Sequence, residues 1–220
     1  MNINPFRRFR QAMRNRHDRR FDRMHGIDTC DSVAIADLDL PDAGADHHPY
    51  DPTCVDDFSR IVRHLKVDPA RFTLVDIGSG KGRILILAEE AGFARVIGVE
   101  GDARLCQIAR DNVACWRRGR TGPDRIEIVQ ADARAFDYPG GDLVIFFYNS
   151  FGGTLLDEVI ATWATLARDQ DRRLVIAYHN HLFADRIDAT GMFDRRDLRP
   201  LIPWRKPTTS IYRSKSPATA

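Results

Sequence analysis

The protein has 220 residues, 43% of them hydrophobic and 29% charged, which fits one domain with a full core, alone or with an arm. No apolar run approaches the ~20 residues that span a bilayer, and the charged start does not look like a secretory signal. The four cysteines have neither Cys-x-x-Cys nor metal-ligand spacing, so we expect free thiols, no metal site and a cytoplasmic location. These features exclude membrane-spanning proteins and disulfide-stabilised secreted domains.

Positive charge is concentrated at the amino end, although the formal net charge of the whole chain is only +2. Eight arginines and two aspartates lie within residues 1–24, and apolar residues recur among them at Phe6, Phe9, Met13, Phe21 and Met24. Residues 1–49 are therefore predicted to be an arginine-rich arm followed by a lid region. The arm has several interpretations: a solubilising extension, a helix docked on its own domain, or a basic amphipathic helix that contacts anionic lipid or nucleic acid, of which nucleic acid is not favoured. A targeting peptide is a further alternative, which the two aspartates argue against.

The next segments predict a loop and a first helix. Residues 26–52 show no regular pattern, and the small and acidic residues at 42–46 indicate a surface loop able to cover a ligand. His47 and His48 are interpreted as part of this polar loop and not as a metal site. Phe58, Ile61 and Leu65 then recur at helical spacing, which predicts a helix over residues 56–66.

Residues 72–91 carry the most informative pattern in the chain. An apolar run over residues 72–77 contains Asp76, three glycines follow at alternate positions, and residues 84–91 have helical character. Such a turn lets a ligand lie directly against backbone, because no Cβ atom stands in the way. A second apolar run ends at Glu100, about 20 residues later, where a carboxylate can accept hydrogen bonds from two ribose hydroxyls. The ligand is therefore predicted to contain a nucleoside.

The glycine spacing excludes two common nucleotide sites. A dinucleotide fingerprint requires a glycine where this chain has Arg83, and a P-loop requires a four-residue gap and a Gly-Lys-Ser/Thr ending. The remaining pattern, Asp-x-Gly-x-Gly-x-Gly at residues 76–82, resembles the first motif of the class I S-adenosylmethionine-dependent methyltransferases. A glycine-rich turn in another α/β protein is the alternative, and the spacing to Glu100 argues against it.

The resemblance implies S-adenosylmethionine as the cofactor. The residues that it assigns to cofactor binding are Asp76, Gly78, Ser79, Gly80, Gly82, Glu100, Asp132 and Tyr50. By the resemblance, the glycine loop lies under the methionine part, Asp76 binds the amino group of that part, and Glu100 holds the ribose. Asp132, after the third strand, would hold the adenine amino group, and its alternative role is an ordinary turn cap. Tyr50 would belong to a lid over the cofactor.

Helices and strands keep alternating along the rest of the chain. Strands are predicted over residues 72–77, 95–99, 125–130, 143–148, 174–178, 192–198 and 209–213, and the later helices over residues 102–117, 154–168 and 182–189. This order predicts an α/β fold with a doubly wound, Rossmann-like, seven-stranded sheet, mostly parallel with an antiparallel closing hairpin. The resemblance covers residues 50–213 as the methyltransferase domain and leaves residues 214–220 as a polar tail.

Residues 148–151, Tyr-Asn-Ser-Phe, follow the predicted fourth strand, where class I methyltransferases bind their acceptor. They resemble a loosened form of the Asn-Pro-Pro-Tyr/Phe signature for planar amines. They are more similar to a Tyr-Asn-Pro-Phe element of bacterial class I members that in turn resemble the non-SET protein-lysine methyltransferases. By this resemblance Asn149 orients the acceptor, while Tyr148 and Phe151 wall the site against water. The alternative is a strand-to-helix turn with a capping Asn and core aromatics.

Further charged and titratable residues lie near these motifs. His179, at the end of the predicted fifth strand, is a candidate base, because an amine acceptor must lose a proton before it attacks. Lys81 and Arg83 are unusual beside a helix N-terminus, where the macrodipole disfavours positive charge. They are expected either to meet the cofactor carboxylate or an acidic substrate, or to be solvated.

The sequence thus favours an S-adenosylmethionine-dependent methyltransferase that modifies an amine nitrogen on a lysine or on a small molecule. Within the enzyme class, the alternative is methylation of a small-molecule oxygen. Outside it, the alternative is a non-enzymatic module that binds the cofactor, or nucleic acid through the arginine-rich arm. The expected partner is a protein or small-molecule methyl acceptor.

Overall fold

The structure, a computed structural model, describes residues 16–38, 46–169, 171–199 and 208–215. Residues 1–15 of the predicted arginine-rich arm lie outside these ranges, as do most of the predicted loop at 42–46 and tail residues 216–220. The described residues form one sheet with helices packed on both of its faces.

Seven strands make up the sheet, in the chain order that the sequence predicts. Their bounds are Thr73–Ile77 (β1), Arg95–Glu100 (β2), Ile126–Gln130 (β3), Leu143–Phe147 (β4), Leu174–His179 (β5), Phe193–Asp197 (β6) and Thr209–Ser214 (β7). The spatial order is β3-β2-β1-β4-β5-β7-β6. Strands β1 to β5 run parallel, and β7 is antiparallel to both β5 and β6. The predicted mostly parallel sheet with an antiparallel closing pair is therefore confirmed.

Helices connect the parallel strands and cover the sheet. The described helices are residues 16–25 (α1), Val55–Leu65 (α2), Arg83–Glu90 (α3), Ala103–Arg117 (α4), Gly153–Leu166 (α5) and Ala184–Ala189 (α6), with short 3-10 turns at Ile35–Asp37 and Pro69–Arg71. The side chain of Asp102 caps α4 by accepting a hydrogen bond from the Leu105 amide at 2.7 Å, which explains why this helix begins where it does.

Strand side chains alternate between two hydrophobic cores, one on each face of the sheet. On one face, Phe58 of α2 packs edge-on against Phe146 of β4, with ring centroids 5.6 Å apart. On the other face, Trp163 of α5 packs against Phe147 of β4 with centroids 5.8 Å apart. Because β4 is buried along its whole length on both faces, its five residues are all apolar.

The position of the ligand site follows from the strand order. Strand β1 lies between β2 and β4, so the connections on its two sides run in opposite directions along the sheet. In open α/β sheets, ligands bind in the crevice at the carboxyl ends of such strands. Here the loops after β1 and β4 meet at that crevice, and the Ser150 hydroxyl donates to the Ile77 carbonyl at 3.1 Å.

The described end of the predicted arm is a helix that docks on the domain. Phe21 of α1 is buried, and its ring centroid lies 6.2 Å from that of Trp116 in α4. Asp18 and Asp22 are also buried, whereas the arginines of this helix are exposed. Residues 16–25 therefore match the docked-helix interpretation of the arm.

The outer strand β6 is strongly charged. Residues 194–197, Asp-Arg-Arg-Asp, are all exposed, and among the described strands β6 pairs only with β7. In the part of the chain that the structure describes, no helix has the length and apolar character needed to cross a membrane.

Candidate functional site

A cavity of about 690 Å³ opens at the carboxyl ends of β1 to β4, a volume typical of small-molecule sites. Three regions of the chain line it: the strand ends of the cofactor side, the loop after β4, and residues 46–53. Of the predicted site residues, it is lined by Asp76, Gly78, Ser79, Glu100, Asp132, Tyr50, Tyr148 and Phe151. The other four, Gly80, Gly82, Asn149 and His179, lie outside the lining of this cavity.

The glycine loop has the backbone conformation that its sequence predicts. Gly78, Gly80 and Gly82 have φ angles of +77°, +54° and +82°, in the left-handed region that favours glycine. A Cβ atom on Gly80 would lie 2.2 Å from the Tyr50 ring, and one on Gly78 would lie 2.0 Å from Oγ of Ser150. Gly78 and Gly80 are therefore required both by conformation and by close packing under the cavity.

Ser79 provides an independent indication of a polar ligand. Its side chain is buried, it lines the cavity, and its hydroxyl has no hydrogen-bond partner among the described residues. A buried hydroxyl without a partner is unfavourable, so a ligand group that bonds to it would be stabilising. Together with the space under the glycine loop, this hydroxyl fits a cofactor that bears polar groups.

Two buried carboxylates give the cofactor side a negative character. The side chain of Glu100 accepts hydrogen bonds from the backbone amides of Gly80 at 2.8 Å and Asp102 at 3.0 Å. Burial raises the pKa of Glu100, and it raises the pKa of Asp76 well above its usual range, with a further contribution from the nearby Glu100. Such a pair suits a ligand with positive charge, as in the ammonium and sulfonium of S-adenosylmethionine.

Asp132 lies at the cavity and also caps a turn. It lines the cavity, and its carboxylate also accepts a hydrogen bond from the backbone amide of Arg134 at 2.8 Å, as a turn cap does. The Arg134 guanidinium bonds to the same carboxylate, and these hydrogen bonds lower the pKa of Asp132. The carboxylate is 42% exposed and stays charged, so it remains able to accept a hydrogen bond from a ligand amino group.

Aromatic side chains form the wall on the side of the loop after β4. Phe151 is buried against Phe147, with ring centroids 5.1 Å apart, and the Tyr148 hydroxyl donates to Asp51 at 3.2 Å. Both Tyr148 and Phe151 line the cavity, as the sequence predicts. Asp46 and Asp51 line it nearby, so this side also has negative charge.

Asn149 is directed away from the cavity. Its backbone has a φ of 42°, and its side-chain oxygen accepts a hydrogen bond from the Tyr178 hydroxyl at 2.6 Å. Its side-chain amide donates to the Asn180 carbonyl. The side chain therefore joins the ends of β4 and β5. The predicted acceptor-orienting role would instead require the side chain to point into the cavity.

His179, the base predicted from sequence, is also engaged elsewhere. Its Nδ1 atom lies 2.8 Å from Oγ1 of Thr209, and its Nε2 atom lies 3.8 Å from Asp57. Its ring packs edge-on against Tyr148, with centroids 4.7 Å apart. The structure thus separates His179 from the cavity that Tyr148 lines.

Lys81 and Arg83 are both buried, and both pair with acidic residues of the amino-terminal region. Nη1 of Arg83 lies 3.3 Å from Asp18, Nη2 lies 3.5 Å from Asp22, and Nε donates to Oγ1 of Thr29 at 2.7 Å. Lys81 pairs with an aspartate of the same amino-terminal region. The sequence alone showed the two cations but not their acidic partners, because the partners lie far away along the chain.

Residues 46–50 form a strap over the loop after β4. The His48 amide donates to the Ser150 carbonyl at 3.0 Å, and the Gly152 amide donates to the Asp46 carbonyl at 2.7 Å. Nδ1 of His48 lies 2.6 Å from the Asn149 carbonyl oxygen. From sequence, His48 is predicted only as part of a polar loop, and no spacing in the chain signals this position. Among the described residues, no group of three potential metal ligands occurs.

Comparison with known proteins agrees with this architecture. Residues 74–170 match a protein-family model described as a methyltransferase domain. No curated protein sequence matches the chain. The likeness to solved structures described next, at 16–17% identity, shows a common fold.

Three solved methyltransferase structures illustrate the likeness. The precorrin-6y C5,15-methyltransferase from Geobacter metallireducens GS-15 has a TM-score of 0.54 at 16% identity, over 75% of this chain and 90% of that chain. The magnesium protoporphyrin IX methyltransferase from Synechocystis PCC 6803, solved with bound SAM, has 0.51 at 17% identity, over 74% and 79%. The ribosomal protein L11 methylase from Lactobacillus delbrueckii subsp. bulgaricus has 0.50 at 16% identity, over 72% and 77%.

Three features of the chain thus occur together: a Rossmann-like seven-stranded sheet, a methyltransferase-domain match that spans the glycine loop, and an acidic cavity above that loop. The cavity fits the polar and cationic groups of the cofactor through the Ser79 hydroxyl and the two buried carboxylates. The protein is therefore an S-adenosylmethionine-dependent methyltransferase with a class I fold.

Proposed function

We propose that the enzyme transfers the methyl group to an amine nitrogen, on a lysine side chain or a small-molecule amine. The observation that carries this proposal is the negative and aromatic character of the acceptor side, where Asp46, Asp51 and Tyr148 line one wall. An amine arrives as an ammonium ion, which carboxylates and aromatic faces attract. An acidic acceptor would meet like charge there.

The residues on the cofactor side have proposed roles in binding. Asp76 and the Ser79 hydroxyl would bind the methionine part, with Gly78, Gly80 and Gly82 shaping the loop beneath it. Glu100 would accept hydrogen bonds from the ribose hydroxyls through the lone pairs that its two backbone partners leave open. Asp132 would bind the adenine amino group, and Tyr50 would hold the lid against the glycine loop. When bound, the cofactor supplies an electrophilic methyl group on a positive sulfur.

On the acceptor side, alignment is the main task of the protein. Tyr148 and Phe151 would exclude water and present aromatic surface to the positive charges. Asn149 would act as a positioning residue, because its hydrogen bonds with Tyr178 and Asn180 hold the loop that carries both aromatics. Methylation of a hydroxyl oxygen is the alternative reaction of the same cavity.

We further propose that the functional unit includes α1 together with residues 50–213. The buried contacts of Asp18, Asp22 and Phe21 support this extension of the domain. For the arginines of the arm we propose a solvent-facing role, with a contact to nucleic acid as the alternative that is not favoured; those in α1 are exposed. The four cysteines are thiols and not disulfides, which suits a reducing compartment and supports the proposed cytoplasmic location.

The first test is calorimetric titration of S-adenosylmethionine and S-adenosylhomocysteine into the wild type and Glu100→Gln. We expect the variant to bind each ligand at least tenfold more weakly. The carboxylate would accept hydrogen bonds from two ribose hydroxyls, and the amide that replaces it has only one acceptor oxygen. Glu127→Gln is the matched control, since Glu127 lies on β3 with 49% of its side chain exposed and pairs only with Arg95 in the described structure. Equal affinities in all three proteins would contradict the assigned ribose site.

The second test addresses the acceptor. A labelled methyl donor is offered with lysine-containing peptides and small primary amines in one set, and with phenols and alcohols in a matched set. Mass spectrometry of the products then identifies the atom that carries the methyl group. Transfer to amines supports the proposal, and transfer to hydroxyl compounds alone would replace it with the oxygen alternative.

A further inference from the structure

His48 occupies a defined position at the junction of the strap and the acceptor side. It lines the cavity, and its backbone amide and its Nδ1 atom both bond to carbonyl groups of the loop after β4. Its ring stacks near Phe183, with centroids 6.3 Å apart and an angle of 22° between the planes. The side chain is therefore fixed from two directions.

The bond to the Asn149 carbonyl determines which ring nitrogen carries the proton. A carbonyl oxygen only accepts hydrogen bonds, so Nδ1 of His48 must be the donor at 2.6 Å. In the neutral imidazole the other nitrogen, Nε2, then has a free lone pair and acts as an acceptor. His48 also lines the cavity, so this tautomer supplies the lone pair that a general base requires.

We propose that His48 is the general base of the methyl transfer, which rests on the proposed amine acceptor. Nε2 takes a proton from the acceptor ammonium, so an N–H bond of the acceptor breaks and an Nε2–H bond forms. The freed nitrogen lone pair then bonds to the methyl carbon as the sulfur–carbon bond breaks, and its electron pair stays on sulfur. The imidazolium later releases its proton to water, so charge and atoms balance.

Several charged groups lie in or near the part of the cavity that His48 lines. Asp46 and Asp51 line the cavity from the strap region, and Asp132 with its partner Arg134 lines it from the loop after β3. Others near the ring are the neighbouring His47 and, stacked over Phe183 on the far side, Arg186. A cationic acceptor that enters the cavity beside His48 therefore meets these carboxylates, which attract it toward that wall.

The proposal can be tested without knowledge of the natural acceptor. Sinefungin is a cofactor analogue in which a carbon that bears an amine replaces the methyl-bearing sulfonium, so its amine takes the place of the methyl group, next to the position of the acceptor nitrogen. Calorimetry compares its affinity with that of S-adenosylhomocysteine, which lacks this amine, between about pH 8 and 5. The ratio of the two affinities isolates the environment of the amine.

In the wild type, we expect the preference for sinefungin to decrease as pH falls, because a protonated His48 repels the ammonium. His48→Asn should reduce the preference at pH 8 by about ten- to a hundredfold and remove its pH dependence, while S-adenosylhomocysteine binding changes little. His64→Asn is the matched control, since Nδ1 of His64 also bonds to a carbonyl, that of Arg60 at 2.8 Å, on helix α2 away from the cavity. His179→Asn tests the rival base in the same way.

Nitrogen-15 NMR of the histidine rings provides a readout independent of ligands, and it should show His48 as the Nδ1-protonated tautomer at pH 8. A preference for sinefungin that is unchanged in His48→Asn, or that is lost only in His179→Asn, would overturn the assignment of His48 while leaving the proposed function intact. Failure of the wild type to bind S-adenosylhomocysteine would overturn the proposed function and this inference with it.

Discussion

Asp76 and Glu100 place two buried carboxyl groups in one cavity, which is unfavourable while no cation is bound. Burial raises the pKa of both groups, and for Asp76 the nearby Glu100 adds to the effect. A carboxyl whose pKa is higher in the folded than in the unfolded protein stabilises the fold while protonated, and this contribution is lost as pH rises through the folded-state pKa. A bound cation offsets the repulsion between the Asp76 and Glu100 carboxylates. The Asp76 carboxylate therefore increases the affinity for a cationic ligand but decreases the stability of the ligand-free protein.

Asp76→Asn is therefore expected to stabilise the ligand-free protein at pH 7 and to weaken S-adenosylmethionine binding. The amide keeps the shape of the side chain and removes the buried charge, and each tenfold change in the acid dissociation constant of Asp76 corresponds to about 1.4 kcal/mol. Denaturant unfolding measures the free energy of unfolding from about pH 4 to 8. As pH rises over this range, that free energy should decrease less in the variant than in the wild type. Asp132→Asn is the control of opposite sign, because hydrogen bonds from Arg134 lower the pKa of Asp132. Equal pH profiles for the wild type and Asp76→Asn would contradict the raised pKa.

Gly80→Ala is expected to abolish cofactor binding and to destabilise the protein. The new Cβ would lie 2.2 Å from the Tyr50 ring, at a φ of +54° that an alanine rarely adopts. Gly92→Ala separates strain from crowding, because Gly92 has a φ of +89° and a Cβ atom added there would meet no described neighbour within 4 Å. We expect Gly92→Ala to cost about 1 kcal/mol in thermal unfolding and to bind cofactor normally. If both variants lost binding alike, the close approach of Tyr50 would not be the cause.

The residues of the cofactor side were predictable because their signal is local. The alternating glycines, Asp76 and the distance to Glu100 all lie within one strand-turn-helix-strand unit. His48 was not predictable in the same way, since it reaches the cavity only through contacts between the strap and the loop after β4. The inward direction expected of Asn149 also depended on unseen contacts, because its left-handed backbone and the Tyr178 hydroxyl turn the side chain toward β5.

At the scale of elements, α1 and α3 are joined by a buried ionic cluster. The Arg83 side chain is only 2% exposed, and its acidic partners Asp18 and Asp22 are 8% and 9% exposed. A charge so far from water is tolerable only when it is paired and hydrogen-bonded. The first residue of the helix behind the glycine loop thus depends on the amino-terminal helix for its neutralisation.

Asp18→Asn combined with Asp22→Asn is expected to destabilise the protein by about 3 kcal/mol or more, because it leaves the buried Arg83 without a carboxylate among its described partners. The matched control is Asp31→Asn, which breaks an exposed pair with Arg19 and should cost about 1 kcal/mol or less. Urea unfolding measures both. A double variant as stable as the control would contradict the assigned role of these two carboxylates in stabilising the buried Arg83.

The contact between α1 and Arg83 determines how deletions of the arm can be interpreted. Removing residues 1–15 retains α1 and tests the arginines outside the described structure, whereas removing residues 1–24 also removes Asp18, Asp22 and Phe21. Loss of activity after the longer deletion would therefore report a structural defect and not a partner of the arm.

The elements of the sheet were largely predictable, since buried parallel strands such as β4 are continuous apolar runs and the helices between them have a clear apolar face. Strand β6 was predicted over residues 192–198 from its position more than from its composition, because four of its five residues are charged. The docking of α1 was one of several interpretations that its sequence allows. Its apolar and acidic residues contact Trp116 and Arg83, which lie far along the chain, so the sequence of α1 alone does not reveal its docking site.

At the scale of the whole molecule, the sheet has an unpaired outer strand in β6, and its exposed charges oppose pairing with another sheet. Exposed edge strands without charge are common sites of aggregation. Asp194→Val with Arg196→Val is therefore expected to increase self-association, as seen by light scattering on incubation at raised temperature. Arg110→Val with Asp111→Val, on the exposed surface of α4, makes the same chemical change away from an edge and should have a smaller effect. Equal scattering from both pairs would assign the effect to hydrophobicity alone.

The ionic cluster between α1 and α3 also bears on the order in which the protein is completed during synthesis. Asp18 and Asp22 leave the ribosome well before Arg83, so until α3 has emerged the first helix has no buried cation to dock against. Although it is synthesised early, α1 can join the domain only after the strand, glycine loop and helix of the cofactor side have formed. In that interval α1 lacks the cation that its two buried aspartates pair with, so its docking follows the synthesis of β1, the glycine loop and α3.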